Sequence, residues 1–113
     1  MLPRVNRLNK DSEIKDLAKQ GKSFFLPEFI IKYYQNKEEI SKFAFVVSTK
    51  VDKRAVVRNR LTRRLRETIR AFLPKISPGY SVLIIAKKQA LLLDFPQIKK
   101  QMAFALTKIK IYN

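Results

Sequence analysis

Residues 53–66 concentrate basic side chains in one short stretch, KRAVVRNRLTRRLR, where seven of fourteen residues are Lys or Arg and none is acidic. Six of those seven are arginine. The guanidinium group is a planar fork of donors that binds phosphate through two hydrogen bonds and stacks on bases, which an ammonium group cannot do. The stretch therefore predicts a site for a structured polyanion such as folded RNA or DNA.

Apolar residues recur through the same stretch every three or four positions, the period of an amphipathic helix. They are Val57, Leu61, Leu65, Ile69 and Phe72. The opposite side of that helix carries Asn59, Arg63, Arg66 and Arg70, with Arg60 at one margin and with Arg58 and Arg64 at the edges of the apolar stripe. We predict a helix over 55–72 that buries one face and presents guanidinium groups on the other.

A merely solvated basic surface is the alternative, but solvated helix faces usually alternate in charge. Here Arg60–Arg64 and Arg66–Arg70 are like-charged pairs four residues apart, each costing a few tenths of a kcal/mol. A polyanion would relieve that repulsion. Asn59 can be interpreted in two ways. Its amide contacts a base edge or a 2′-hydroxyl of RNA, or it is an ordinary helix-surface or capping amide.

The composition limits the classes of function. The 113 residues carry 25 Lys plus Arg against 9 Asp plus Glu, a net charge of +16, and a pI near 10.4. Hydrophobic residues make up 46%, enough for the core of one domain, 1–113. So much positive charge on one small domain favours nucleic acid as the partner.

Several catalytic chemistries lack their residues. The chain has no histidine or cysteine, and its two glycines cannot form a glycine-rich phosphate loop. Its nine carboxylates are scattered, whereas a two-metal nuclease needs several that converge. We therefore assign no catalytic residue and no metal ligand. The sequence contains no signal peptide or membrane-length apolar run, so we expect a cytoplasmic protein without a membrane partner.

The remaining segments predict an α-β-β-α-β-α order, with a short additional strand possible at 23–25. Besides the basic helix, these are a helix over 11–20, strands over 28–35, 42–49 and 80–87, and a last helix capped by Asp94. Strand 42–49 is apolar on both faces, which predicts a central position. The fold class is an α/β (α+β) two-layer sandwich on a small mixed sheet.

Residues 53–67 resemble the signature of the bacterial ribonuclease P protein family: Ala55-Val56-Val57, the Arg58-Asn59-Arg60 core, a hydrophobic residue, a basic pair and Arg66-Glu67. The likeness extends to Asn6-Arg7-Leu8 and to the strand from Tyr80 to Lys87, close to the whole chain. The resemblance implies a left-handed β-α-β crossover, against the usual right-handed preference.

The resemblance also implies a function and its residues. The chain would be a subunit of an endoribonuclease that removes the 5′ leader of precursor tRNA, with catalysis by the RNA subunit and its magnesium and no obligate protein partner. The residues expected to contact the catalytic RNA are Lys53, Arg54, Arg58, Asn59, Arg60, Arg63, Arg64 and Arg66.

A cleft between the first helix and the exposed sheet face is expected to hold the leader, since single strands bind grooves with aromatic and basic walls. The candidate residues are Ile14, Lys32, Tyr34 and Ser48. Ile14 and Lys32 stand where the family favours aromatic residues, and Ile14 also fits a core position. Composition alone leaves a structural RNA-binding protein, such as a ribosomal one, as the alternative.

Overall fold

The protein folds into three helices and four strands in the computed structural model. The structure describes residues 3, 6–8, 11–36 and 38–112, without the side chains of residues 11–13. In chain order they are α1 (Asp11–Gln20), β1 (Lys22–Phe25), β2 (Phe29–Gln35), β3 (Lys42–Val46), α2 (Ala55–Phe72), β4 (Tyr80–Ala86) and α3 (Phe95–Lys108), with 3₁₀ turns at Leu73–Lys75 and Lys88–Leu92. This order confirms the predicted succession and the additional short strand.

The strands form one mixed sheet in the order β1-β2-β4-β3. The interior strand β4 pairs antiparallel with β2, the other interior strand, and parallel with β3. Because β3 and β4 are parallel neighbours, the chain between them crosses over through α2. The left hand of that crossover stays a prediction of the resemblance.

The prediction that strand 42–49 is central was wrong, because β3 lies at an edge of the sheet and ends at Val46. Its apolar character has another cause. Phe43 is buried in the core on one face and Ala44 in a second cluster on the other. The outer edge of β3 is also covered, since the backbone N–H of Leu8 donates to the carbonyl of Phe43 at 2.7 Å.

The main core lies between one face of the sheet and the two long helices. Its fully buried side chains include Phe29, Ile31 and Ile84 from the strands, facing Leu65 of α2 and Met102 of α3. The alternating residues of the strands point to the opposite face, where Leu17 of α1 packs with Ala44 and Leu83. Helix α1 therefore covers part of the face that α2 and α3 leave open.

Helix α3 begins as its sequence predicts. The Asp94 carboxylate accepts from the Gln97 backbone N–H at 2.8 Å, and the Gln97 side chain accepts from the Asp94 backbone N–H at 2.9 Å. This reciprocal cap satisfies two donors that would otherwise lack partners. In the described part of the chain, no helix is long and apolar enough to cross a membrane.

Candidate nucleic-acid interface

Helix α2 separates its apolar and basic residues between two faces. Leu61, Leu65 and Ile69 are buried in the core, while Asn59, Arg60 and Arg63 are exposed. These positions confirm the predicted orientation of the helix, and its ends coincide with the predicted 55–72. Thr68, absent from the predicted stripe, is also buried, where its hydroxyl donates to the Arg64 carbonyl at 2.8 Å.

Arg54, just before α2, is engaged within the protein. Its Nη2 lies 3.0 Å from Asp52 Oδ2 and its Nε 3.1 Å from Asp52 Oδ1, a two-pronged ion pair, and its backbone N–H donates to the same carboxylate. The hydrogen bonds from the Arg54 side chain and backbone lower the pKa of Asp52 to about 2. The pair is therefore ionised at neutral pH, and RNA has to compete with Asp52 for this guanidinium.

Arg58 is held by the loop that precedes the helix. Its Nη1 donates to the carbonyls of Asp52 at 3.3 Å and Lys53 at 3.2 Å. A guanidinium has five donors, so others stay available to a phosphate. Arg58 thus fixes the path of residues 52–53 into α2, a structural role that its position in the sequence motif does not reveal.

The guanidinium groups of four other arginines have no hydrogen-bond or ion-pair partner within the part of the chain that the structure describes; they are Arg60, Arg63, Arg64 and Arg66. The nearest acidic side chain on the helix, Glu67, pairs instead with Arg70 at 3.6 Å. We call these four residues, with Asn59, the arginine face of α2. Like charges held together without internal counterions favour the binding of a polyanion.

One side of the arginine face borders a groove of about 330 Å³, which Arg60 and Arg64 line together with Val56 and Leu91. Val56 is 66% exposed, and the neighbouring Leu92 is 82% exposed. Sequence reasoning missed this apolar surface, although Val56 could have been found by its position on the basic side of the helix. Guanidinium groups beside apolar side chains can contact phosphates and bases at once.

The predicted leader residues lie mostly on the face of the sheet that carries α1. Ile14 and Tyr34 pack against the cluster around Leu17, and Lys32 is paired with Leu83 of the same face. The Lys32 ammonium donates to the Ala18 carbonyl in the last turn of α1 at 2.8 Å. Lys32 therefore joins α1 to the sheet while keeping donors for another anion.

Arg66 connects the two predicted surfaces. It lines a cavity of about 170 Å³ with Ile14, Leu8 and Phe45. The sequence assigned Arg66 to one RNA and Ile14 to another, and the fold brings them to a common cavity. Ser48 lies apart, exposed in the turn beyond the end of β3.

Among the described residues, no group of three or more Asp or Glu side chains converges as a metal ion would require. Within the described part of the chain, most of the predicted site residues lie either on the basic surface of α2 or on the sheet face that carries α1.

Comparison with known proteins decides the family. The profile described as Ribonuclease P matches residues 2–110, nearly the whole chain. The chain belongs to the ribonuclease P protein family. Members of this family are the protein component of ribonuclease P, so the chain functions as a subunit of that tRNA-processing endoribonuclease and has an RNA partner.

Relatives within the ribonuclease P protein family support the assignment along most of the chain. The Ribonuclease P protein component of Fusobacterium nucleatum is 39% identical over 85 residues, covering 75% of this chain and 76% of the relative. That of Clostridioides difficile is 37% identical over 98 residues, covering 86% of this chain and 85% of the relative. Family membership separates the chain from ribosomal proteins, which composition alone could not do.

Solved ribonuclease P proteins share the fold. The Staphylococcus aureus protein superposes with a TM-score of 0.87 at 25% identity, covering 96% of this chain and 98% of that one. The Thermotoga maritima protein gives a TM-score of 0.84 at 26% identity, covering 92% of this chain and 97% of that one. These likenesses confirm the predicted fold class.

Proposed function

We propose that this chain binds the catalytic RNA of ribonuclease P through the arginine face of α2 and the 5′ leader of precursor tRNA through the face that carries α1. The observation that carries the first assignment is the set of four guanidinium groups without internal partners opposite a buried apolar stripe. Lys53, Arg54 and Arg58 extend this surface at the start of the helix. Binding there would neutralise phosphates and release counterions.

The leader assignment rests on position and shape. Ile14 of α1 and Tyr34 of β2 pack against one apolar cluster, and the ammonium group of Lys32 lies at its margin. An apolar surface with a basic margin suits one strand better than a duplex, because the bases of a single strand can unstack against it. Ser48 would contact the strand beyond the end of β3.

In this proposal the protein places its substrate and screens phosphate repulsion, and magnesium belongs to the assembled enzyme, where it supplies bond cleavage on the RNA. The protein works in the cytoplasm with the RNA subunit and precursor tRNA, and needs neither a membrane nor another protein.

The pure protein with magnesium is expected not to cleave precursor tRNA, whereas the protein with its RNA subunit cleaves it faster than that RNA does alone at low salt. The reason is the absence of histidine and the scattered carboxylates beside a large basic surface. The measurement is the rate of appearance of the mature 5′ end. Cleavage that persists after nuclease treatment and repurification of the protein would contradict this proposal.

Lys32→Ala is expected to weaken the binding of precursor tRNA to the assembled enzyme and to leave the binding of mature tRNA nearly constant. Loss of one phosphate contact should also lower the magnitude of the salt slope for precursor tRNA by about one unit. Titrations of both substrates across salt concentrations measure these effects.

Lys19→Ala is the matched control, because it removes the same charge from an exposed position in the last turn of α1, the turn that Lys32 contacts. Because Lys32 also donates to the Ala18 carbonyl, the variant is expected to lose about 1 kcal/mol of stability, and thermal melts show whether it keeps its fold. Equal losses for precursor and mature tRNA would remove Lys32 from the leader site.

A further inference from the structure

A third groove lies at the other end of the sheet from the start of α2. Its volume is about 380 Å³, within the range of roughly 300–1,000 Å³ typical of ligand-binding clefts. We call it the tyrosine–lysine groove; its defining residues are Lys22, Tyr33, Gln35, Tyr80, Lys108 and Lys110. None of its lining residues belongs to the arginine face of α2, and Tyr34, which also lines it, is the one that it shares with the predicted leader residues.

The strand register places the four defining strand residues of this groove on the same face of the sheet. Lys22 is paired with Tyr33, and Gln35 with Tyr80. Since paired residues share a face and alternate residues of one strand share a face, all four point toward the side that carries α3. The end of α3 then contributes Lys108 and Lys110 to the other wall. Tyr34, which also borders the groove, points to the opposite face.

The charges in the tyrosine–lysine groove are of one sign. No acidic residue of the described chain lines it, and its three lysines are exposed. The ammonium of Lys108 lies 5.7 Å from the centre of the Phe104 ring, a contact that leaves its charge uncompensated. Cations near the end of α3 also stabilise the helix dipole. That role accounts for Lys108 and Lys110 but not for Lys22 or the two tyrosines.

Lys110 occupies a backbone position that glycine usually fills. Its φ is 65°, and the backbone N–H of Ile111 donates to the Leu106 carbonyl at 2.9 Å while that of Lys110 donates to Thr107 at 3.1 Å. This pattern is the Schellman end of a helix, where a residue with a side chain is less stable than glycine. The backbone conformation thus favours glycine over lysine here, and the lysine side chain is exposed at the groove.

We propose that the tyrosine–lysine groove binds a single-stranded segment of RNA, with the three ammonium groups on phosphates and the rings of Tyr33 and Tyr80 beside bases or riboses. Both rings are partly buried against the core, so they form a fixed wall that needs little ordering on binding. Lysine suits this site because an ammonium binds phosphate as a point charge without demanding a fixed geometry.

The test compares two triple variants of the full chain that have the same net charge. Lys22→Ala/Lys108→Ala/Lys110→Gly removes the groove's cations, and Lys88→Ala/Lys99→Ala/Lys100→Ala removes three exposed lysines elsewhere. The probe is a fluorescent ten-nucleotide oligouridylate, titrated across salt concentrations. We expect the groove variant to lose roughly tenfold more affinity than the control, and its salt slope to fall by about two units more.

Amide chemical shifts locate the binding. Addition of the oligonucleotide to the unaltered chain should shift the amides of Tyr80 and Lys110 as well as those on α2. Lys110→Gly alone should melt at the same temperature as the unaltered chain or higher, so loss of binding cannot come from unfolding.

Equal losses in the two triple variants, or shifts confined to α2, would overturn the proposal. So would displacement of the oligonucleotide from the groove by polyglutamate at equal charge concentration, because that result would assign the groove to acidic peptides. None of these outcomes bears on the arginine face, whose binding is measured with the large structured RNA.

Discussion

Replacing Leu65 by alanine is expected to lower the free energy of unfolding by about 2–5 kcal/mol, the range found for large buried aliphatic side chains. Leu65 is fully buried at the middle of α2, where it faces the sheet and α3. Denaturant unfolding measures the change, with a lower midpoint and an unchanged slope.

Leu65 tests the core more cleanly than Leu61, which is also buried but lines the groove beside Arg60 and Arg64. Arg63→Ala is the matched control on the opposite side of the same helix, with an expected change of about 0.5 kcal/mol or less because Arg63 is exposed. Unfolding of the Arg63 variant, or full stability of the Leu65 variant, would contradict the orientation of α2.

The double variant Arg60→Ala/Arg63→Ala is expected to bind the structured RNA about 100-fold more weakly or worse. A hydrogen bond to a charged group contributes about 1.5–3 kcal/mol, so two lost guanidinium contacts amount to roughly 3 kcal/mol or more. The magnitude of the salt slope should fall by about two units. Filter-binding or fluorescence titrations of the RNA subunit at several salt concentrations measure both quantities.

Two control variants separate charge from geometry. Lys99→Ala/Lys100→Ala removes two exposed charges from α3 and should weaken binding far less. Arg60→Lys/Arg63→Lys keeps the charge but loses the planar fork of donors. Its affinity for the RNA should lie between that of the alanine variant and that of the unaltered chain. If the α3 variant lost as much affinity as the α2 variant, the arginine face would be no more than one part of a diffuse basic surface.

Local patterns in the sequence predicted the helices well. The spacing of Leu61, Leu65 and Ile69 predicted which face of α2 is buried, and Asp94 predicted the start of α3. These features depend on residues within a turn or two of one another, so they can be predicted from the local spacing of residues in the sequence.

Properties that depend on distant segments could not be predicted in this way. β3 is apolar because both its faces are covered, and this character does not indicate whether the strand lies inside the sheet or at its edge. The engagement of Arg54 by Asp52 and of Arg58 by loop carbonyls depends on the path of residues 52–53. The meeting of Arg66 and Ile14 requires α1 and α2 to be placed around the edge of β3.

Because β4 is the last strand in the chain and yet lies between β2 and β3, the complete sheet cannot assemble until most of the polypeptide has left the ribosome. Until then β1 and β2 can pair with each other, but β2 and β3 have no common partner. The apolar stripe of α2 also lacks the strand that completes its packing surface. Pairing between segments so far apart in sequence slows folding, so we expect this domain to fold more slowly than a helical bundle of its size.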